Sequence, residues 1–220
     1  MAGALAKVNR EPLYAWYKGI DPANVIYAVN CGSDEPLTDM SGVTWMPDTG
    51  AVGGVKSGEG GNQRWVMPNT DIYQTERWGD QESFTYKIPF DVMIDGTYTL
   101  ILKFSEQYFW EPGQKVFDVA VGDVDVLKNL DPFARAGSKL LPYDAFIVLQ
   151  ARRGELFYNT EKIKNAVKKD NTLNVHFKVG TADNPKVNAI ALIKGGLENT
   201  HKENFDLFQQ TLIAIQEEKA

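Results

Sequence analysis

Three adjacent aromatic residues, Tyr108, Phe109 and Trp110, are the part of this sequence best suited to contact a ligand. They follow an alternating run at residues 98–104, which predicts a buried β-strand, and they precede a turn signal at residues 112–113. Aromatic rings offer broad apolar faces for stacking, and loops at the ends of strands commonly carry binding residues. The pattern therefore predicts a binding loop.

Residue types that are common in catalytic and metal sites are isolated in this sequence. His176 lies within an alternating run and His201 near the start of the last predicted helix, and neither has cysteine or carboxylate neighbours at metal-ligand spacing. No nucleophile motif of the Gly-x-Ser-x-Gly type occurs. We therefore expect no metal, no cofactor and no enzymatic activity, although paired carboxylates for glycoside hydrolysis would leave no mark in a single sequence.

Charge and composition restrict the kind of partner and the compartment. The 220 residues carry a formal net charge of −6 and the pI is near 5.0, whereas binding to nucleic acid usually needs a basic face. No apolar run approaches the length of a membrane-spanning helix, and residues 1–30 lack the apolar core of a secretory signal. The sequence has a single cysteine, Cys31, so no intrachain disulfide can form, and we expect its side chain to be buried as a small apolar group. Together these features predict a cytoplasmic protein that binds neither nucleic acid nor membrane.

Short alternating runs separated by turn signals predict an all-β fold, mainly an antiparallel β-sandwich. The predicted strands are residues 25–30, 43–45, 83–90, 97–104, 116–121, 124–127, 145–150, 155–158, 173–179 and 187–193. Trp45, Tyr86 and Phe117 are assigned to the core. The glycine-rich run at residues 50–61 has no strand or helix period and no phosphate-loop spacing, so it predicts an irregular loop without a nucleotide.

Helical patterns occur at the two ends of the chain. Residues 11–18 predict a short N-terminal helix. Near the C-terminus, Thr200 and Glu203 have the spacing of a capping box. The apolar residues of the following amphipathic helix recur at helical spacing at Phe205, Phe208, Leu212 and Ile215. This face either packs on its own domain or binds a partner in a larger assembly, and both alternatives stay open.

Five separated segments, in the same order, resemble the malectin family of carbohydrate-binding domains. They are VIYAVNCG at residues 25–32, YQTERW at 73–78, KFSEQYFW and KVFDV within 103–119, LKNLDPF at 127–133, and DNPKVNAI at 183–190. The resemblance implies a jelly-roll-like, malectin-type β-sandwich at residues 23–198, between an N-terminal extension at 1–22 and the C-terminal helix at 199–220.

The resemblance also implies which residues contact a glycan. The matching positions are Tyr108, Phe109, Asp183 and Trp78, the last replacing a tyrosine that is typical of the family. A further family tyrosine has no counterpart in residues 57–63. From the residues alone, Asp183 before Asn184 and Pro185 is a turn former, and Phe109 is as well explained by capping the core. The changes at two tyrosine positions bring the specificity for glucose oligosaccharides into question.

Two functions from different classes remain at this point. The first is a lectin-like module that binds glucose-containing oligosaccharides through the aromatic loop. The second is a cytoplasmic protein–protein interaction module within a larger assembly, cytoskeletal or ciliary, that has lost sugar binding. The retained Tyr108, Phe109 and Asp183 favour the first, whereas the missing secretory signal, the missing tyrosine and the amphipathic helix favour the second.

Overall fold

The computed structural model describes residues 9, 20–57, 71–167, 169–200 and 202–218. The strands are β1 (Val25–Asn30), β2 (Leu37–Thr38), β3 (Thr44–Trp45), β4 (Ala51–Val52), β5 (Val55–Ser57), β6 (Glu76–Trp78), β7 (Phe84–Pro89), β8 (Gly96–Ser105), β9 (Val116–Val121), β10 (Val124–Leu130), β11 (Pro142–Arg152), β12 (Glu155–Tyr158), β13 (Glu161–Ile163), β14 (Thr172–Ala182), β15 (Lys186–Val187) and β16 (Ala189–Lys194). The α-helices are α1 (Pro132–Ala136) and α2 (Lys202–Glu217), with 3₁₀ turns at Pro22–Asn24, Asp71–Tyr73 and Leu197–Asn199.

Two antiparallel sheets form a sandwich, which confirms the predicted fold class. One sheet has the order β1-β16-β8-β11-β12-β13 and the other the order β10-β9-β14-β7-β4. Alternate side chains of β8, including Leu100, Leu102 and Phe104, join the core between the sheets. The rings of Phe104 and Phe117 lie 6.0 Å apart across that core. The alternating apolar side chains that predicted β8 therefore pack against the second sheet. They hold the end of β8, and the loop that follows it, beside that sheet.

The outer face of the six-stranded sheet is covered by α2. Phe205, Phe208 and Leu212 are buried in a second cluster with Ala189 and Ala191, whose small side chains belong to β16. Of the two alternatives for this apolar face, the structure therefore shows packing on the domain itself. The assignment of Phe205, Phe208 and Leu212 as partner-binding residues is corrected accordingly, because their side chains are no longer accessible; Ile215 remains partly exposed.

The start of α2 differs from the predicted capping box. The Thr200 hydroxyl accepts a hydrogen bond from the amide of Lys202 at 3.2 Å, while the amide of Thr200 donates to the carbonyl of Leu197 at 3.1 Å. The Glu203 side chain consequently has no Thr200 amide to bind, because the preceding 3₁₀ turn already uses it. The predicted N-terminal helix at residues 11–18 and His201 lie outside the described residues.

A third, small sheet forms where sequence analysis predicted a loop. β4 and β5 lie within the glycine-rich run, and β5 pairs with β6, which in turn pairs with β15. These strands have two or three residues each, which is too short for an alternating pattern to be visible. The small sheet lies next to the end of β8, because Lys186 of β15 donates to the carbonyl of Ser105 at 2.5 Å. It forms one wall of the candidate site.

Candidate functional site

A cavity of about 370 Å³ lies where the loop after β8 meets the small sheet. Its lining residues are Ser57, Glu76, Trp78, Glu106, Tyr108, Lys115, Asp183 and Asn184. We call this cavity the main cleft. It combines aromatic side chains, carboxylates and an ammonium group contributed by β5, β6, the loop after β8, the residue before β9 and the loop between β14 and β15.

The conformation of the aromatic loop is set by Glu106. One carboxylate oxygen, Oε1, accepts hydrogen bonds from the backbone amides of Tyr108 at 2.7 Å and Phe109 at 3.0 Å. This local cap turns the chain sharply away from β8, so that Tyr108 is 77% exposed while Phe109 is half-buried beside it. The two rings meet edge to face, with centroids 5.0 Å apart. The cap therefore presents Tyr108 at the rim of the main cleft.

The second oxygen of Glu106 is a buried acceptor without a partner among the described residues, as is the hydroxyl of the neighbouring Ser105. Glu106 is only 1% exposed, and its Oε2 has no hydrogen-bond partner among the described residues. A buried acceptor without a donor typically costs about 1–3 kcal/mol, so such atoms are rare in folded proteins. Glu106 lines the main cleft, but Oε2 itself is almost inaccessible, so a ligand hydroxyl can supply the missing donor only if the carboxylate shifts towards the cavity.

Asp183 lies opposite the aromatic loop and is held by Lys115. Their side chains form an ion pair, and the Lys115 ammonium also donates to the carbonyl of Asn184 at 3.1 Å. The ammonium lies 5.5 Å from the centroid of the Phe109 ring. Lys115 is buried, and a buried charge is tolerated only when it is paired in this way. Asp183 therefore stabilises Lys115, while its partly exposed carboxylate faces the cleft.

The backbone of Asp183 also agrees with its prediction as a turn former. Its φ angle is +52°, in the left-handed region that aspartate and asparagine tolerate better than most residues. The neighbouring Asn184 accepts a hydrogen bond from the amide of Gln81 at 2.7 Å, which ties this turn to the segment after β6. The turn and ligand-binding interpretations of Asp183 are thus compatible in one structure.

Trp78 is placed in the main cleft by the pairing of β6 with its neighbours. It lies opposite Lys186 of β15 on one side and Val55 of β5 on the other. Lys186, which is buried, forms an ion pair with Glu76 two residues before Trp78. The strand that carries the half-buried indole of Trp78 is therefore fixed by hydrogen bonds to both neighbouring strands and by an ion pair.

Three of the four residues assigned from the family resemblance meet in the main cleft, namely Trp78, Tyr108 and Asp183. Phe109 instead lines a neighbouring, more open cavity together with Tyr108. The segment that lacks the family tyrosine reaches the cleft through Ser57, and its residues 58–63 lie outside the described part of the chain.

The roles of Glu106, Lys115 and Lys186 were not predicted from the sequence. Local capping of the backbone is typical of Ser, Thr, Asn and Asp, so the glutamate at position 106 gave no such signal. Lys115 and Lys186 gave none either, because their partners lie 68 and 110 residues away in the sequence. Only the folded sheet order brings these charges together.

Two further properties bear on the chemistry available. Within the described residues, no group of three histidine, cysteine, aspartate or glutamate side chains is arranged to hold a metal ion. Over the same residues, neither α1 nor α2 is long and apolar enough to cross a membrane.

Comparison with known proteins identifies the fold and the relatives. A family model described as Malectin domain matches residues 25–190. Malectin of Mus musculus is 35% identical over 187 residues, which cover 82% of this chain and 60% of the mouse protein. Malectin-A of Xenopus laevis is 36% identical over 177 residues, which cover 78% and 60% of the two chains. The chain thus spans about three fifths of the length of these relatives.

Solved structures agree at the level of the fold. The ANX1 ectodomain from Arabidopsis thaliana has a TM-score of 0.62 at 19% identity, over 77% of this chain and 48% of that chain. A beta-glucuronidase of Bacteroides uniformis has a TM-score of 0.52 at 20% identity, over 77% of this chain and 18% of the enzyme. At these identities the two structures share the sandwich with this chain and indicate nothing about its ligands.

Proposed function

The chain belongs to the malectin family of carbohydrate-binding domains, and we propose that its main cleft binds a glucose-containing oligosaccharide without metal or catalysis. The observation that carries this proposal is the convergence of two aromatic side chains, Trp78 and Tyr108, with the carboxylates of Glu106 and Asp183 in one cavity. Ring faces can stack on the C–H faces of a pyranose, while carboxylates accept hydrogen bonds from its hydroxyl groups.

The charge balance of the cleft supports a neutral, hydroxyl-rich ligand. Two of its carboxylates, Glu76 and Asp183, already have lysine partners, so among the described residues the site offers no unpaired cation to an anionic ligand. A small cavity with a few fixed polar groups between aromatic walls is typical of sites that orient one small ligand. Trp78, where the family has a tyrosine, keeps an aromatic face for stacking and lacks the phenol hydroxyl, so its contribution to this site is stacking.

Substitution of Asp183 by asparagine provides the test. Asparagine tolerates the left-handed backbone, so Asp183→Asn keeps the turn, but it also leaves the buried Lys115 ammonium without its carboxylate partner; thermal unfolding must therefore show that the variant is folded. Loss of one hydrogen bond to a charged acceptor is worth about 1.5–3 kcal/mol, or a rise in Kd of roughly 10- to 150-fold. Isothermal titration calorimetry with maltose and maltotetraose measures this change.

A matched control is Asp170→Asn. Asp170 precedes β14 and Asp183 follows it, so the two aspartates are separated by roughly 35 Å along an extended strand. This variant should bind sugar as the wild type does. Equal binding by the wild type and Asp183→Asn would contradict the assigned site, and the absence of any heat with a folded wild type would contradict sugar binding.

A second candidate function is a cytoplasmic protein-interaction module within a larger assembly. One observation favours it: on the outer side of α2, Leu207 and Ile213 are each 49% exposed. The candidate predicts that the purified chain self-associates through this side of the helix. A monomer in light scattering that also binds maltose would favour the carbohydrate-binding function over this alternative.

A further inference from the structure

A second, shallower cavity of about 570 Å³ adjoins the main cleft along the aromatic loop. It is lined by Tyr108, Phe109, Trp110, Glu111 and Gln114, and we call it the outer cleft. Tyr108 lines both cavities, so the two adjoin at one exposed ring. A ligand that contacts Tyr108 from the main cleft can therefore extend into the outer cleft.

The loop around the outer cleft is held in place by side-chain oxygens. Gln114 Oε1 accepts hydrogen bonds from the amides of Trp110 at 3.3 Å and Glu111 at 3.1 Å. The amide of Gly113, with a φ angle of +82°, donates to Asp131 Oδ2 at 2.5 Å. Together with the Glu106 cap, these bonds fix the backbone that carries the aromatic residues. A preorganised loop pays little conformational entropy when a ligand binds.

Trp110 is exposed to solvent and is nevertheless oriented. The side chain is 69% exposed, and the ammonium of Lys139 lies 3.9 Å from the centroid of the indole. A cation over an aromatic face is an attractive arrangement, so Lys139 restrains one face of the ring. The opposite face is the one left for contact with another molecule.

Polar groups suited to hydroxyls lie beside this ring. Because Gln114 uses its Oε1 for two backbone amides, its Nε2 group remains as a donor, and within the described residues no bond to that group is present. Glu111 is exposed, and its carboxylate offers acceptors on the same cavity. A ring face with a donor and an acceptor nearby suits a pyranose, which offers an apolar C–H face and hydroxyl groups.

We infer that the outer cleft is an additional sugar subsite, in which Trp110 stacks on a ring of an oligosaccharide whose other rings occupy the main cleft. This inference rests on the proposed carbohydrate function of the main cleft. It assigns this chain a preference for oligosaccharides longer than a disaccharide, with Trp110 as the residue that determines the preference.

The experiment compares ligand lengths in the wild type and Trp110→Ala by calorimetry with maltose, maltotetraose and maltohexaose. Wild-type affinity should rise with length. The contact of one aromatic face predicts that Trp110→Ala weakens binding of the two longer sugars roughly three- to tenfold. Maltose binding should change less than about twofold, within the usual scatter of exposed substitutions. Trp110→Phe, which keeps a stacking face, should recover part of the loss.

Met93→Ala serves as the control, because Met93 is 72% exposed and lines neither cleft. Equal affinity of Trp110→Ala and the wild type for maltohexaose would overturn the subsite. An equal loss for all three sugars would also overturn it, since Trp110 would then act on the main cleft. No binding of any sugar by the folded wild type would overturn both the subsite and the proposed function.

Discussion

Replacing Glu106 by glutamine separates the two tasks of its carboxylate. In Glu106→Gln the amide oxygen can still accept from the backbone amides of Tyr108 and Phe109, so the aromatic loop should keep its conformation. The second oxygen, which has no partner among the described residues, becomes an amino group and can no longer accept a hydroxyl proton. The expected result is a folded protein with weakened sugar binding.

The magnitude follows from the charged acceptor that is lost. A hydrogen bond to a charged group contributes about 1.5–3 kcal/mol, so the Kd for maltose should rise by roughly 10- to 150-fold. Calorimetry measures the Kd, and thermal unfolding checks that the fold is intact. Glu111→Gln is the matched control, because Glu111 lies on the same loop but does not line the main cleft. Unchanged maltose affinity in a folded Glu106→Gln variant would refute a ligand-accepting role for Oε2.

Two further predictions concern the framework of the site. Phe208→Ala should lower the free energy of unfolding by about 3–5 kcal/mol in urea denaturation, because the Phe208 side chain of α2 is fully buried against the sheet. Ile213 is half-exposed, so Ile213→Ala should lower it by less than about 1 kcal/mol. Similar losses for both variants would contradict the packing of the helix. Burial raises the pKa of the Tyr73 and Tyr86 phenols above the ordinary value. The Asp144 carboxylate adds to this effect at Tyr73, and Cys31 and Asp48 add to it at Tyr86. The two tyrosines contribute their full stabilisation of the fold below the unfolded pKa of about 10. This contribution is lost as the pH rises towards the folded pKa, by up to about 1.4 kcal/mol per pH unit for each tyrosine. A urea midpoint that stays constant from pH 8 to pH 11 would contradict this loss.

The long strands and the aromatic loop were predictable from the sequence because their information is local. β8 and β9 alternate over six or more residues, and the loop residues Tyr108 to Trp110 are adjacent in the chain. β6 was not predictable, because its three residues become a strand only through pairing with β5 and β15. The family resemblance supplied Trp78 and Asp183, which their local patterns alone would not have brought together.

The helix at the C-terminus shows the limit of an amphipathic pattern. The spacing of Phe205, Phe208 and Leu212 correctly indicated an apolar face, but a pattern of this kind does not specify what covers it. The answer depends on the small side chains of Ala189 and Ala191 on β16, which give the helix room on the sheet. The ion pairs of the main cleft were hidden for a similar reason, since each joins segments far apart in the sequence.

The hydrogen bonds of the aromatic loop have a consequence for engineering. The amides of four consecutive residues, from Tyr108 to Glu111, are held by two side-chain oxygens, one from Glu106 and one from Gln114. None of these bonds uses the side chains at positions 108 to 110. The loop can therefore accept a combinatorial library at these three positions while its backbone stays in place, which makes this domain a scaffold for selecting modules with new glycan specificities.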